Sequence, residues 1–172
     1  MFFKTFFLLL FSCSLYSSEI VWNSASTSDV SDGEYQQVLE DYVAQNYPKE
    51  FQAWEGQVKK EINEKTFRTG NLMWQDDADA KTVQKNWYDA QAYCNNLQLV
   101  GFNDWRLPTM RELQDLYGKK SSLKNTASDY YWNATPYVDY KNYAWVVDFN
   151  VGGVSNYYKY YHYFVRCVRG GQ

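Results

Sequence analysis

The chain has one histidine, His162, and three cysteines, Cys13, Cys94 and Cys167. A protein zinc site usually takes four ligands at short spacings, and two distant cysteines with one histidine do not supply that set. Neither a metal nor any other cofactor is therefore expected. Positive charge is also short: Lys and Arg number 17 against 20 acidic residues, a formal net charge of −3. Nucleic-acid binding rests on Lys and Arg neutralising phosphates, so the balance argues against nucleic acid as a general partner. It weighs against sulfated polysaccharides for the same reason, although Lys119, Lys120 and Lys124 could form a local basic patch. Long apolar runs are missing after Phe11, so no transmembrane segment is expected. There is no long internal repeat.

The first residues have a different character. Met1-Phe-Phe-Lys4 is a short positive start, Phe6 to Phe11 is apolar, and Ser12, Ser14, Ser17 and Ser18 follow. That order is the pattern of a secretory signal over residues 1–18. It predicts an exported protein, periplasmic or at the cell surface or secreted. Leu10-Phe-Ser-Cys13 weakly matches a lipobox, which makes Cys13 the candidate lipid anchor. Residues 19–33 are rich in Ser, Thr, Asp and Asn and read as a flexible lead-in.

Residues 34–65 read as a helical extension broken near Pro48. Tyr35, Val38, Leu39, Tyr42 and Val43 recur at helical spacing, as do Phe51, Trp54, Val58 and Ile62. Such stripes are packing faces, either for the rest of the chain or for another copy in an oligomer.

From Thr66 the chain turns to strands, turns and aromatic residues. Asn71 to Gln75 is a candidate strand. Asp76-Asp-Ala-Asp79 reads as a solvated acidic loop, and it lacks the glycine and later bidentate Glu of a calcium loop. Trp87, Ala90, Cys94 and Leu97 share one face of a predicted helix. A second helix starts at Thr109, where Thr109-Met-Arg-Glu112 fits a capping box and Gly118 a stop. Trp105 is read as the anchor of the loop before it. Asp104, Arg106, Arg111 and Glu112 are read as a network holding loop and helix.

Tyr143 to Phe149 alternates as a strand, Asn150 to Gly153 reads as a hairpin turn, and a return strand follows. In a final strand, Phe164 to Arg169, Val165 and Cys167 share one face, and Arg166 and Val168 the other.

Aromatic residues make up 20% of the chain, 17 of them Tyr. Tyr lines strands well, but alternation lets a strand bury only every second residue. The density from Tyr157 to Tyr163 exceeds that, so several rings should be exposed. Trp132, Asn133, Tyr157, Tyr158, Tyr160, Tyr161 and Tyr163 are therefore the candidate ligand-binding residues. Tyr offers flat contact area with a polar tip, which suits a glycan or a protein ligand.

With Cys13 removed or acylated, two cysteines remain, and the even count suits one disulfide. A metal ligand or a nucleophile is the alternative reading.

Several pieces fall in an order that resembles one family. They are Gly70-Asn-Leu-Met-Trp-Gln-Asp76; Trp87, Ala90, Tyr93, Cys94 and Leu97; Gly101 with Asp104-Trp-Arg-Leu-Pro-Thr109 and Arg111-Glu-Leu113; Tyr131-Trp132; Ala144-Trp-Val-Val-Asp-Phe149; and Val165-Arg-Cys-Val-Arg169. Together they are similar to the Lcl C-terminal (collagen-like adhesin C-terminal) domain family, over residues 66–172. The resemblance implies an α+β fold of C-type-lectin-like form, two helices on a small twisted antiparallel sheet. It implies a disulfide from the first helix, Cys94, to the last strand, Cys167. It also implies an adhesin-type binding module rather than an enzyme. The namesake's sulfated ligand is not carried over, because this chain is acidic and has no collagen-like repeat. Two alternatives stand beside that reading: a structural subunit assembled through residues 34–65, and an oxidase of the formylglycine-generating kind, which needs free paired thiols.

Overall fold

A computed structural model describes residues 32–170. The expected signal, most of the lead-in and Cys13 lie outside the described residues. The chain divides between Glu61 and Ile62 into two compact units.

The first unit holds helix α1 (Asp32–Asn46) and most of helix α2 (Pro48–Lys65). Pro48 opens α2, where its fixed φ fits and its missing N–H is not needed. On α1, Val43 is buried, while Val38 and Tyr42 of the expected stripe are exposed. Phe51 and Trp54 touch with ring centroids 5.6 Å apart.

The second unit is α+β and carries two sheets. One is three-stranded, in the order β1 (Thr66–Thr69), β2 (Leu72–Gln75), β8 (Val168–Gly170). The other is five-stranded, in the order β3 (Gln84–Lys85), β7 (Tyr163–Phe164), β4 (Tyr130–Pro136), β5 (Tyr143–Asp148), β6 (Val154–Tyr158). Helix α3 (Trp87–Asn95) and helix α4 (Met110–Tyr117) lie on opposite faces of the larger sheet. Trp132, Ala144 and Val146 join Ala90 and Cys94 of α3 in one core. Tyr131, Val147 and Phe149 join Leu113 and Leu116 of α4 in the other. Covering both faces explains why Tyr131 and Trp132, adjacent in β4, are both fully buried.

The local signals for these elements are clear in the side chains. Asn86 caps α3, accepting the Asp89 N–H. Thr109 caps α4 in a full capping box, its hydroxyl accepting the Glu112 N–H while the Glu112 carboxylate accepts the Thr109 N–H. Arg106 donates to both Glu112 oxygens, at 2.9 and 2.7 Å. That bidentate bond, with the Thr109 N–H, holds the Glu112 carboxyl below the ordinary glutamate range. The stability it supplies is present above the unfolded-state pKa and is lost as pH falls through the lowered folded value. Thr109→Ala should cost about 1 kcal/mol in urea unfolding through loss of the cap. An unchanged midpoint would mean that Arg106 and Glu112 fix the helix start alone. Trp105 is buried, and its indole N–H donates to the Phe102 carbonyl at 3.1 Å. Asp104 is paired with Arg169 by two bonds, at 2.6 and 3.0 Å. Gly152 turns the β5–β6 hairpin at φ 80°, and a Cβ there would meet the Tyr117 ring at 2.3 Å.

Cys94 and Cys167 form a disulfide, both buried. Two expectations are corrected around it. Residues 165–167 are not part of a strand: the chain passes from β7 in one sheet to β8 in the other. Both sides of that crossing are covered, so Val165, Arg166, Cys167 and Val168 are all fully buried and strand alternation does not apply. The acidic loop is not wholly solvated either. Asp76 is 1% exposed and paired with Arg166, which is fully buried. Asp76 also accepts the Lys124 and Asn125 N–H groups at 2.9 and 3.0 Å. Arg166 donates to the Gln75 carbonyl at 2.7 Å and to the Asn125 carbonyl.

Candidate ligand-binding surface

The tyrosines divide according to strand geometry. Tyr157 pairs with Ala144 and so points to the α3 side of the sheet, while Tyr158 pairs with Tyr143 and points to the α4 side. The turn after β6 closes with the Tyr161 N–H donating to the Tyr158 carbonyl at 2.9 Å. It swings Tyr161 to the end of the strand, where its ring touches Tyr157, Tyr158 and Tyr163. Tyr160 reaches from Tyr158 to Tyr88 on α3. The rings thus wrap the end of β6 and do not form one flat face.

Beneath the turn, Tyr130, Tyr157 and Tyr163 make a closed triangle with centroids 5.1 to 5.4 Å apart. The rings meet at steep angles, as aromatic pairs prefer. They pack on each other. A hydrogen bond with Tyr157, reinforced by nearby Asp148 and Asp129, pushes the Tyr130 phenol up to about 12. Burial, with Tyr157 and Tyr130 beside it, pushes Tyr163 up to about 12. Both phenols therefore keep their protons at neutral pH.

Of the seven residues singled out from the sequence, Tyr160 and Tyr161 are exposed by more than half. Tyr157, Tyr158 and Tyr163 are half-buried. Trp132 and Asn133 are fully buried and cannot touch a surface ligand. They lie in the central strand β4 as scaffold. The Trp132 indole donates to the Lys85 carbonyl at 2.9 Å, and its ring supports Tyr163 from below at 5.1 Å. The Asn133 carbonyl accepts the Trp87 indole N–H at 2.8 Å.

Sequence reasoning missed a second group of rings. Tyr137, Tyr140 and Tyr143 lie on and beside the β4–β5 loop, and they connect through Tyr143 to Tyr158. Their spacing of three residues was a signal, but only pairing with β6 places them near the turn. Lys159 lies within the tyrosine-rich segment 155–163. It is buried, with its amine 4.3 Å from the Trp87 ring centre and bonded to the Lys141 carbonyl at 2.7 Å. It ties the loop to the start of α3. Of the three lysines Lys119, Lys120 and Lys124, Lys120 and Lys124 each donate their amine to a backbone carbonyl, of Phe149 and Asn63. His162 is exposed.

Residues 66–169 match the Lcl C-terminal domain. The chain belongs to the Lcl C-terminal domain family. The Lcl span takes in both sheets almost entirely, the disulfide and every tyrosine of the surface just described, and it leaves out α1 and α2. No curated protein matches the chain. Among the described residues, no helix is long and apolar enough to cross a membrane.

Proposed function

We propose that this protein is an exported, non-enzymatic binding module that contacts its ligand through the tyrosines around the end of β6. The observation that carries the reading is one continuous set of touching rings that is buried at Trp132 and exposed at Tyr88, Tyr160 and Tyr161. The buried part fixes the exposed rings, and preorganised aromatics lose little entropy on binding. Membership of the Lcl family favours an extracellular or surface setting, and the disulfide is compatible with export. A C-type-lectin-like fold is the architecture we favour, supported by a disulfide from the first helix of the domain to the end of the chain. The ligand is a glycan or a protein. The oxidase reading is disfavoured because Cys94 and Cys167 are bonded to each other, which leaves neither as a free thiol.

The test is Tyr88→Ser, Tyr160→Ser and Tyr161→Ser together. These rings are exposed, so stability should change little, while retention on a glycan array or on native envelope material should fall about tenfold or more. If the folded triple variant still binds, the reading fails, and the polar loop from Lys119 to Ser128 becomes the candidate.

A further inference from the structure

The larger sheet ends on one side at β6, and that edge carries none of the usual protections. Natural edge strands are kept short, charged, bulged or covered. The edge strand β3 is two residues long and contains Lys85. The edge strand β1 of the smaller sheet contains the exposed Arg68. In contrast β6 reads Val154-Ser-Asn-Tyr-Tyr158, five residues with no charge and no proline.

Its backbone is open as well. The β5–β6 ladder is framed by the Asp148 N–H on the Gly153 carbonyl and the Lys159 N–H on the Asn142 carbonyl, both at 2.8 Å. Hydrogen-bonded pairs alternate along an antiparallel ladder. The register therefore turns the backbone groups of Ser155 and Tyr157 toward β5 and those of Val154, Asn156 and Tyr158 outward. Among the described residues, the only outward group with a partner is the Tyr158 carbonyl, which accepts the Tyr161 N–H.

We propose that β6 pairs antiparallel with β6 of a second copy of this chain, about a two-fold axis through Asn156. The sequence of the strand is complementary to itself in that register. Val154 lies opposite the partner's Tyr158, Ser155 opposite the partner's Tyr157, and Asn156 opposite its own equivalent. Aromatic against β-branched is a favoured cross-strand pair, and two facing amides can hydrogen-bond each other. No charge opposes another. A two-fold contact uses the same patch on both copies, so it closes at a dimer and leaves no further edge of this kind. Exposed Val151, next to the strand, would lie beside the pair. The inference does not rest on the tyrosine surface binding a ligand, although the pairing brings Tyr157 and Tyr158 of that surface against the partner strand.

The test uses the full mature chain with Asn156→Lys and Asn156→Glu. Both substitutions leave the backbone groups of residue 156 in place and put a charge at a half-buried position. Sedimentation velocity over a dilution series should show a concentration-dependent dimer for the unsubstituted chain. Each variant alone places like charges across the axis and should dimerise about tenfold more weakly. An equimolar mixture of the two should recover the dimer. Backbone hydrogen exchange on the unsubstituted chain gives a second reading: the Val154 and Asn156 amides should gain protection as concentration rises. A monomer at all concentrations overturns the proposal. A dimer that survives both single substitutions places the interface elsewhere, for example on residues 34–65, and also overturns it. Protection that appears only when an extended peptide is added would replace the second copy with a strand from another protein.

Discussion

Asp76→Ala is expected to cost about 3 to 5 kcal/mol of folding stability, measured by urea unfolding. The carboxylate closes three separate parts of the chain at once. It accepts the Lys124 and Asn125 N–H groups and lies 3.2 Å from an Arg166 guanidinium nitrogen. Neither charge reaches water, with exposures of 1% and 0%. Removing the carboxylate leaves a buried guanidinium uncompensated and two backbone donors without an acceptor. An orphaned donor costs about 1 to 3 kcal/mol by itself. The pair is not a large net source of stability, because both charges had to be desolvated. Its effect is asymmetric: breaking it is expensive. Asp76→Ala combined with Arg166→Met should therefore cost clearly less than the two single substitutions added together. Additive costs, or a loss under about 1 kcal/mol for Asp76→Ala, would show that water or a rearranged loop satisfies Arg166.

What could be read from the sequence was what local chemistry decides. The capping box at Thr109 and Glu112 needs four consecutive residues and appears as expected. The core-facing position of Cys94 follows from the spacing of Trp87, Ala90 and Cys94 on one helix. The hairpin after Asp148 follows from alternation ended by a glycine-containing turn. What could not be read depends on how distant segments pack. Asp76 looked solvated because its partner lies 90 positions away and because its neighbours Ala78 and Asp79 are indeed exposed. Arg166 was placed on the face opposite Cys167 because strand alternation was extended through a crossing between two sheets. Trp132 looked like a surface residue because nothing near it in sequence says that β4 is central and covered on both faces. The tyrosine cluster lies between these cases. Its density between 157 and 163 gave away the exposed rings of Tyr160 and Tyr161. The contributions of Tyr88, Tyr137, Tyr140 and Tyr143 required the fold.

The disulfide should have the other large effect. Cys94→Ala with Cys167→Ala is expected to lower stability by about 4 kcal/mol, from the entropy that a cross-link removes from the unfolded chain. The two cysteines are 73 residues apart, so the closed loop contains α4, β4, β5, β6 and β7. In the folded state the substitution removes little else. Both positions sit among buried apolar residues, and alanine leaves no unsatisfied polar group there. The effect should therefore appear in the unfolded state, where a looser ensemble exposes more surface. A steeper dependence of stability on urea, together with the lower midpoint, is the signature of that mechanism. A fall in midpoint at constant slope would instead assign the loss to packing around Cys94 and Ala90. The unreduced protein should yield the cross-linked Cys94–Cys167 peptide on mapping. Two free thiols in protein purified under oxidising conditions would overturn the structural role and return both cysteines to the list of candidate reactive groups.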